Sequence, residues 1–327
     1  MTKNLVDIVT DNISVLKGIF TMLEEITEDD INIIFKKSPE MEKNQSDSDS
    51  SDDDSDSDSD NDNKKKKVKK HISGGMTIQA MTGHQTLVAM VKVYASSFSK
   101  YLIKDEEYSC WVNITELNKC LKDIDTTNYE LNIKIKENDN NTLHLIINHK
   151  ENDSRQEIYP IVFVENDTDI PRIPTVDFDL RVDISTNLFR KICTKAKKFD
   201  DSIKIKCNNE QIIFEYNTGA KKPIYICYGN DDPDVKIKSI DSKKNPEMEE
   251  KYILNDLLCL KNASGISDTM TLYLKNKTPL FINYKISGDN DEISQILIFM
   301  SPNDDYDFRQ YHAINDKLLK DKKPIMK

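Results

Sequence analysis

Glycine is scarce in this chain, with eight residues in 327, against about 7% in average proteins. Turns that let backbone approach a phosphate, a dinucleotide or a strained nucleophile need glycine at set spacings, and none of those motifs occurs here. The common nucleotide enzymes are therefore disfavoured. No run approaches the roughly 18 apolar residues of a membrane helix, and the N-terminus MTKNLVDIVTDNISVL carries acids where a signal peptide would be apolar. These features point to an intracellular, non-membrane protein. Cys110, Cys120, Cys193, Cys207, Cys227 and Cys259 form no CxxC pair and sit in apolar segments, as buried thiols do in a reducing compartment. His71, His84, His144, His149 and His312 show no metal-ligand spacing, and no Ser or Cys lies in a nucleophile motif. The carboxylates are too numerous and dispersed to single out an acid/base pair. No catalytic residue, metal or cofactor is expected.

What abounds is charge. The 57 acidic and 46 basic side chains leave −11, which at first sight disfavours a nucleic-acid partner. The length corresponds to about two domains. Residues 46–63, SDSDSSDDDSDSDSDNDN, hold nine Asp and seven Ser with no apolar side chain, and KKKKVKK follows at 64–70. Such composition cannot bury enough apolar surface to offset chain entropy, so about 38–74 reads as a disordered insertion. The acidic tract is open to several readings: plain solvation, phosphorylation at its serines, or docking to a basic partner. The lysine block reads as charge compensation or as a nuclear-import signal. INIIFKK (31–37) before the insertion and MTIQAM (76–81) after it both alternate like strands, so the insertion takes the place of a hairpin turn.

Outside the insertion a repeat emerges. Four times a polar residue opens a short amphipathic helix, followed by an alternating strand, a polar turn and another strand; the helices begin near Ser14, Thr115, Thr186 and Asn255. Their apolar stripes are Leu16, Ile19, Phe20 and Leu23; Leu117, Cys120, Leu121 and Ile124; Leu188, Ile192, Ala196 and Phe199; and Leu254, Leu257, Leu258 and Leu260. Short polar turns between strands favour antiparallel hairpins, so the class is α+β, with each helix packed on antiparallel strands and two repeats per domain. The expected divisions are an N-terminal domain over 1–164, an extended connector over 165–178 stiffened by Pro171 and Pro174, a C-terminal domain over 179–302, and a polar extension over 303–327. In that extension Tyr311, Ile314 and Leu318 fall on one side of a possible short helix.

The helix segments 14–26, 114–124, 185–199 and 253–263 sum to −1, 0, +5 and 0. Arg190, Lys191, Lys195, Lys197 and Lys198 stand on the third helix without an acid; Lys119 and Lys122 lie on the second, Lys17 on the first and Lys261 on the fourth. With the apolar stripes facing the core, these cations point away from the sheets, toward solvent or toward phosphates met without base reading.

The fourfold repeat, IQAMTGHQTLVAMVKV (78–93), VNITELNKCLK (112–122), IPRIPTVDF (170–178), LFRKICTKA (188–196) and TPLFINYKI (278–286) together resemble the sliding clamps of the proliferating cell nuclear antigen family. That resemblance implies a non-catalytic DNA polymerase processivity factor. The implied assembly is a homotrimeric ring of two-domain protomers around double-stranded DNA, with helices lining the channel and sheets forming the outer wall. By matched position the DNA-facing cations would be Lys17, Lys119, Lys122 and Lys191, joined on the same helix by Arg190, Lys195 and Lys198. A polymerase, a clamp loader and other partners would dock glutamine-led, aromatic-ended peptides into an apolar pocket. Its residues would be Met81, His84, Leu87, Ile173, Pro174, Phe178, Pro279, Phe299, Met300 and Pro302. Protomers would join strand to strand, through Ile158, Ile161 and Phe163 on one side and Ile224, Tyr225 and Ile226 on the other. Localisation would be the nucleus or, for a viral chain, the site of viral DNA replication. The first helix departs from the family pattern with Gly18 and Glu24, the fourth with Asn255, Asp256 and Asn262, and Asn209 stands where eukaryotic relatives carry a modifiable lysine. Two other readings stay open: an acidic-tract histone chaperone, and a monomeric or dimeric processivity factor of the same fold.

Overall fold

Alternating apolar residues build the strands, and a helix starts wherever that period of two gives way to 3.6. The computed structural model describes residues 3–27, 29–38, 74–166, 176–220, 222–240, 245–286 and 294–302. The connector residues Ile173 and Pro174, the insertion over 39–73 and the extension over 303–327 lie outside them.

The first unit runs β1 (Asn4–Thr10), α1 (Ile13–Ile26), β2 (Asp30–Lys36), β3 (Gly75–Met81) and β4 (Leu87–Tyr94). After β5 (Lys100–Ile103) the second runs β6 (Glu107–Asn113), α2 (Ile114–Lys122), β7 (Tyr129–Lys136), β8 (Asp139–His149) and β9 (Asn152–Val162). The third is β10 (Leu180–Ser185), α3 (Thr186–Lys197), β11 (Ser202–Cys207), β12 (Gln211–Asn217) and β13 (Pro223–Gly229). After β14 (Val235–Ser239) the fourth is β15 (Met248–Ile253), α4 (Leu254–Leu258), β16 (Thr269–Leu274), β17 (Leu280–Ile286) and β18 (Ser294–Met300). Each unit is thus one strand, one helix and three strands.

All the strand pairs are antiparallel, in three sheets. Five strands run β5-β1-β7-β8-β9, four run β13-β12-β11-β15, and nine run β14-β10-β16-β17-β18-β4-β3-β2-β6. The nine-stranded sheet crosses from one half of the chain to the other where β18 pairs β4, from Gln295↔Lys92 to Met300↔Leu87. Among the described residues one hydrophobic cluster, with members from Val6 to Met300, fills the space between helices and sheets.

Helix caps follow local chemistry. The Asn113 side chain accepts a hydrogen bond from the Glu116 N–H at 3.1 Å, and Ser185 accepts one from Leu188 at 3.5 Å. On α1 the expected stripe is fully buried, Leu16, Ile19, Phe20 and Leu23 included. On α3 the stripe is turned by about one residue: Phe189, Ile192, Cys193 and Ala196 are buried, Leu188 is only half-buried, and Phe199 stands 48% exposed. Phe199 leaves the core because the helix has already ended. Its N–H and that of Asp200 both bond back to the Ala196 carbonyl, turning the chain off the helical stripe. The fourth helix is shorter than expected, five residues followed by a 3-10 turn at Lys261–Gly265. Asn255, Asp256, Asn262 and Gly265 are weak helix formers, and Leu254, Leu257 and Leu260 anchor the segment instead. The cysteines divide as well: Cys110, Cys193 and Cys207 are buried, Cys120 and Cys259 intermediate, and Cys227 is exposed on β13, contrary to the expectation for six buried thiols.

The ends of the insertion meet. β2 and β3 pair from Asn32↔Gln79 to Lys36↔Gly75, as the alternating flanks require of a hairpin. Chain re-entry at Gly75 uses a φ of +134°, where a side chain would overlap the Val93 carbonyl and lie 2.9 Å from the Tyr94 Cα. Gly75→Ala is expected to cost about 1–3 kcal/mol in urea unfolding. Gly219→Ala, where nothing lies within 4 Å of the added carbon, should stay within about 0.5 kcal/mol. Equal effects of the two changes would exclude strain at the re-entry point.

Candidate functional site

Three surfaces gather the candidate residues. The first is the helix face away from the sheets. On α3 the core side is taken by Phe189, Ile192, Cys193 and Ala196, so Arg190, Lys191, Lys195 and Lys198 are left exposed. Lys197 instead bonds Asp201 one turn on, which takes it out of the free set. Lys119 and Lys122 are exposed on α2. Lys17 is half-buried and reaches the Lys122 carbonyl, so it ties α1 to the C-terminal end of α2 and partly offsets that helix dipole. The acids of α1 are engaged locally: Glu24 accepts from Asn118, and Glu25 accepts from Lys261 at 2.8 Å and Asn262 at 3.2 Å. Lys261 therefore belongs to a contact between the two halves of the chain, beside the packing of Gly18 on Ile266.

The second surface is an aromatic patch on the outer face of the nine-stranded sheet, behind the strands from the helices. Phe281 stacks on Phe299 at 4.6 Å, on Tyr273 at 5.1 Å and on Phe178 at 5.7 Å between ring centroids. Val88 and Phe299 form its buried base, with Met81, Phe281 and Leu297 packed around them. Rings offset at such spacings contribute about 0.5–1.5 kcal/mol per pair beyond burial. Register explains the set: Val88 lies opposite Phe299, and Phe299 opposite Phe281. The same register puts Leu87 opposite Met300 and turns both into the main core at 0% exposure. Those two residues, both expected to line the pocket, therefore face the helices, and Val88 takes the outer position; a one-residue step along a strand changes the face.

Sequence reading also missed Tyr273 and Phe281, although the alternation in TLYL and LFIN carries the signal. Pro279 and Pro302 are buried, and His84 is exposed on the 82–86 turn. That turn is held rigid: the Thr82 hydroxyl accepts from the Thr86 and Leu87 N–H groups at 3.2 and 3.1 Å. The Ser301 N–H donates to the Thr86 carbonyl at 2.8 Å, fixing the last described residues beside the patch.

The third surface is a pair of sheet edges. β9 borders the five-stranded sheet and β13 the four-stranded one. Among the expected joint residues, Ile158 is 53% and Tyr225 56% exposed, and Val162 beside them is 61% exposed. Ile161 turns inward at 2%, while Phe163, Ile224 and Ile226 are half-buried against the core. The inward turn of Ile161 is again strand alternation, and it removes that residue from the outer face. Pro160 in β9 is tolerated because the strand is at an edge.

Among the described residues no cluster of His, Cys, Asp or Glu could hold a metal, and no helix is long and apolar enough to cross a membrane. Perturbed groups are explained by packing: burial raises the Cys110 and Cys207 thiols to about 12, and the hydrogen bond to Glu157 raises Tyr159 to about 12.

Known proteins share this arrangement. The model for the N-terminal domain of proliferating cell nuclear antigen matches residues 66–170, and that for its C-terminal domain matches 172–300. A proliferating cell nuclear antigen of Chaetomium thermophilum is 24% identical over 217 residues, covering 66% of this chain and 82% of that protein. A probable DNA polymerase sliding clamp of Paramecium bursaria Chlorella virus 1 is 23% identical over 220 residues, covering 65% and 80%. The crystal structure of proliferating cellular nuclear antigen from Entamoeba histolytica shares the fold with a TM-score of 0.69, over 92% of this chain and 100% of that one, at 15% identity. Two family models laid end to end over the two-domain antiparallel clamp architecture show that the chain belongs to the proliferating cell nuclear antigen family of DNA sliding clamps.

Proposed function

We infer that three copies of the chain close into a ring around duplex DNA and hold a polymerase and other replication and repair proteins at the template. The observation that carries this reading is the combination of two open sheet edges, β9 and β13, with exposed cations on α2 and above all on α3. Open edges with exposed apolar residues invite pairing. Two different edges joining head to tail give a heterologous contact, which closes when the rotation permits. Inside such a ring Arg190, Lys191, Lys119 and Lys122 would meet phosphates rather than bases, so the clamp slides without sequence preference.

The aromatic patch of Phe178, Tyr273, Phe281 and Phe299 suits the apolar end of a docking peptide, with His84 and the rigid 82–86 turn at its margin. A clamp loader would open and close the ring. The protein acts without catalysis, at the site of DNA replication, in a nucleus or in a virus-infected cell.

Light scattering tests the assembly: a mass near three chains is expected, and a concentration-independent monomer would overturn the ring. Changing Lys119, Lys122 and Lys191 together to Glu should shorten polymerase products several-fold at moderate salt, with a defect that varies with ionic strength. Full processivity in that variant would remove the helices from the DNA path. Phe178→Ala with Phe281→Ala should weaken binding of a glutamine-aromatic peptide at least tenfold, about 1.4 kcal/mol, with the oligomer mass unchanged. Unaltered peptide affinity would mean docking lies elsewhere.

A further inference from the structure

The last strand delivers the C-terminal extension to the aromatic patch. Phe299 of β18 is part of the patch, and two residues later the Ser301 N–H is tied to the Thr86 carbonyl, so the chain leaves the described fold at Pro302 beside the rings. The patch stays partly in water. Met81, Phe178, Tyr273, Phe281 and Leu297 are all half-buried, above the buried Val88 and Phe299. An apolar surface of this kind calls for something to cover it.

The extension has a matching stripe. Phe308, Tyr311, Ile314 and Leu318 recur at intervals of three, three and four, with the mostly polar RQ, HA and NDK between them. A helix that short is marginal in water unless its apolar stripe meets a surface. From Phe308 to Leu318 it would span about 15 Å, and the patch from β4 across β18 and β17 to β16 covers three strand spacings, about 14 Å. The link NDDYD (303–307) reaches up to about 20 Å when extended. That is enough to bring Phe308 over Phe281 or Tyr273, one and two strands from β18. The acids of the link suit Lys277, which is exposed in the turn leading to Leu280, and Leu280 lies opposite Met300 at the end of β18.

We propose that the extension folds back as a helix on the aromatic patch of its own protomer, laying Phe308, Tyr311, Ile314 and Leu318 on the rings, so that the chain carries a tethered competitor of its docking peptides. The regulatory part rests on the docking reading of the patch. A short link gives a local concentration of about 1 mM, so an intrinsic contact as weak as about 0.1 mM keeps the patch closed and lowers the apparent affinity of an outside peptide about tenfold. Tight peptides displace the extension and weak ones do not, which sets a threshold for access to the clamp.

Two measurements on the full chain test the closure. The affinity of a fluorescent glutamine-aromatic peptide should rise about tenfold in the variant Phe308→Ala with Tyr311→Ala and Leu318→Ala, with the oligomer mass unchanged. Native affinity in that variant, while Phe178→Ala with Phe281→Ala still weakens binding, would overturn the closure and leave the docking reading standing. The second measurement needs no outside peptide. With p-benzoylphenylalanine in place of Phe308, illumination should link the extension to the segments holding Tyr273 and Phe281, and mass spectrometry on mixed light and isotopically heavy chains should find the link within single chains. That link in a protein that binds no glutamine-aromatic peptide, native or variant, would support the closure and remove the docking reading. Links to other segments alone, or only between light and heavy chains, would mean that the extension does not cover its own patch.

Discussion

The pairing of β18 with β4 holds the rest of the molecule in place. It joins strands more than 190 residues apart in the chain into one nine-stranded sheet. Among the described residues the other contacts between the two halves include α1 against the 3-10 turn at Lys261–Gly265 and the Ser97–Ser294 hydroxyl pair. With the strand pairing, one hydrophobic cluster runs through both halves, and the helices of both share one side of the sheets. The same register sets the outer surface, because Val88 and Phe299 meet on the face away from the helices while Leu87 and Met300 meet inside. An aromatic outer patch and a helix-covered inner face thus follow from the two faces of a single antiparallel joint.

Charge is sorted along with the faces. The chain carries −11 overall, yet α3 with its flanks contributes +5. The remaining helices are close to neutral, and the two acids of α1 are engaged in local contacts, Asn118–Glu24 and Lys261–Glu25. Net acidity therefore lies outside the helix segments. The positive field is thus concentrated on one helix.

Much of the architecture was legible in residue order. The strand alternation either side of the insertion required a hairpin, and β2 pairs β3 at that place. The α1 stripe of Leu16, Ile19, Phe20 and Leu23 is buried as its spacing requires. Legibility failed where a phase or an element end was decided elsewhere. Phe199 fits the α3 stripe by spacing alone, but the helix stops at Lys197 and the ring turns outward. Leu87 and Val88 are adjacent apolar residues, and only pairing with β18 tells which one joins the outer aromatic patch. Tyr273 and Phe281 belong to ordinary strands until register stacks them with Phe178 and Phe299.

By itself the sequence determined what local periodicity and composition can encode: four helix-strand units, scarcity of glycine motifs, an acidic tract set apart from the folded parts, and one strongly basic helix. Tertiary structure alone decided which strands join across the chain, which of two neighbouring side chains faces out, and which edges stay open. Those outcomes depend on contacts between residues distant in sequence. A strand carries no record of its neighbour, and a one-residue shift in register exchanges its faces at no cost to its own pattern.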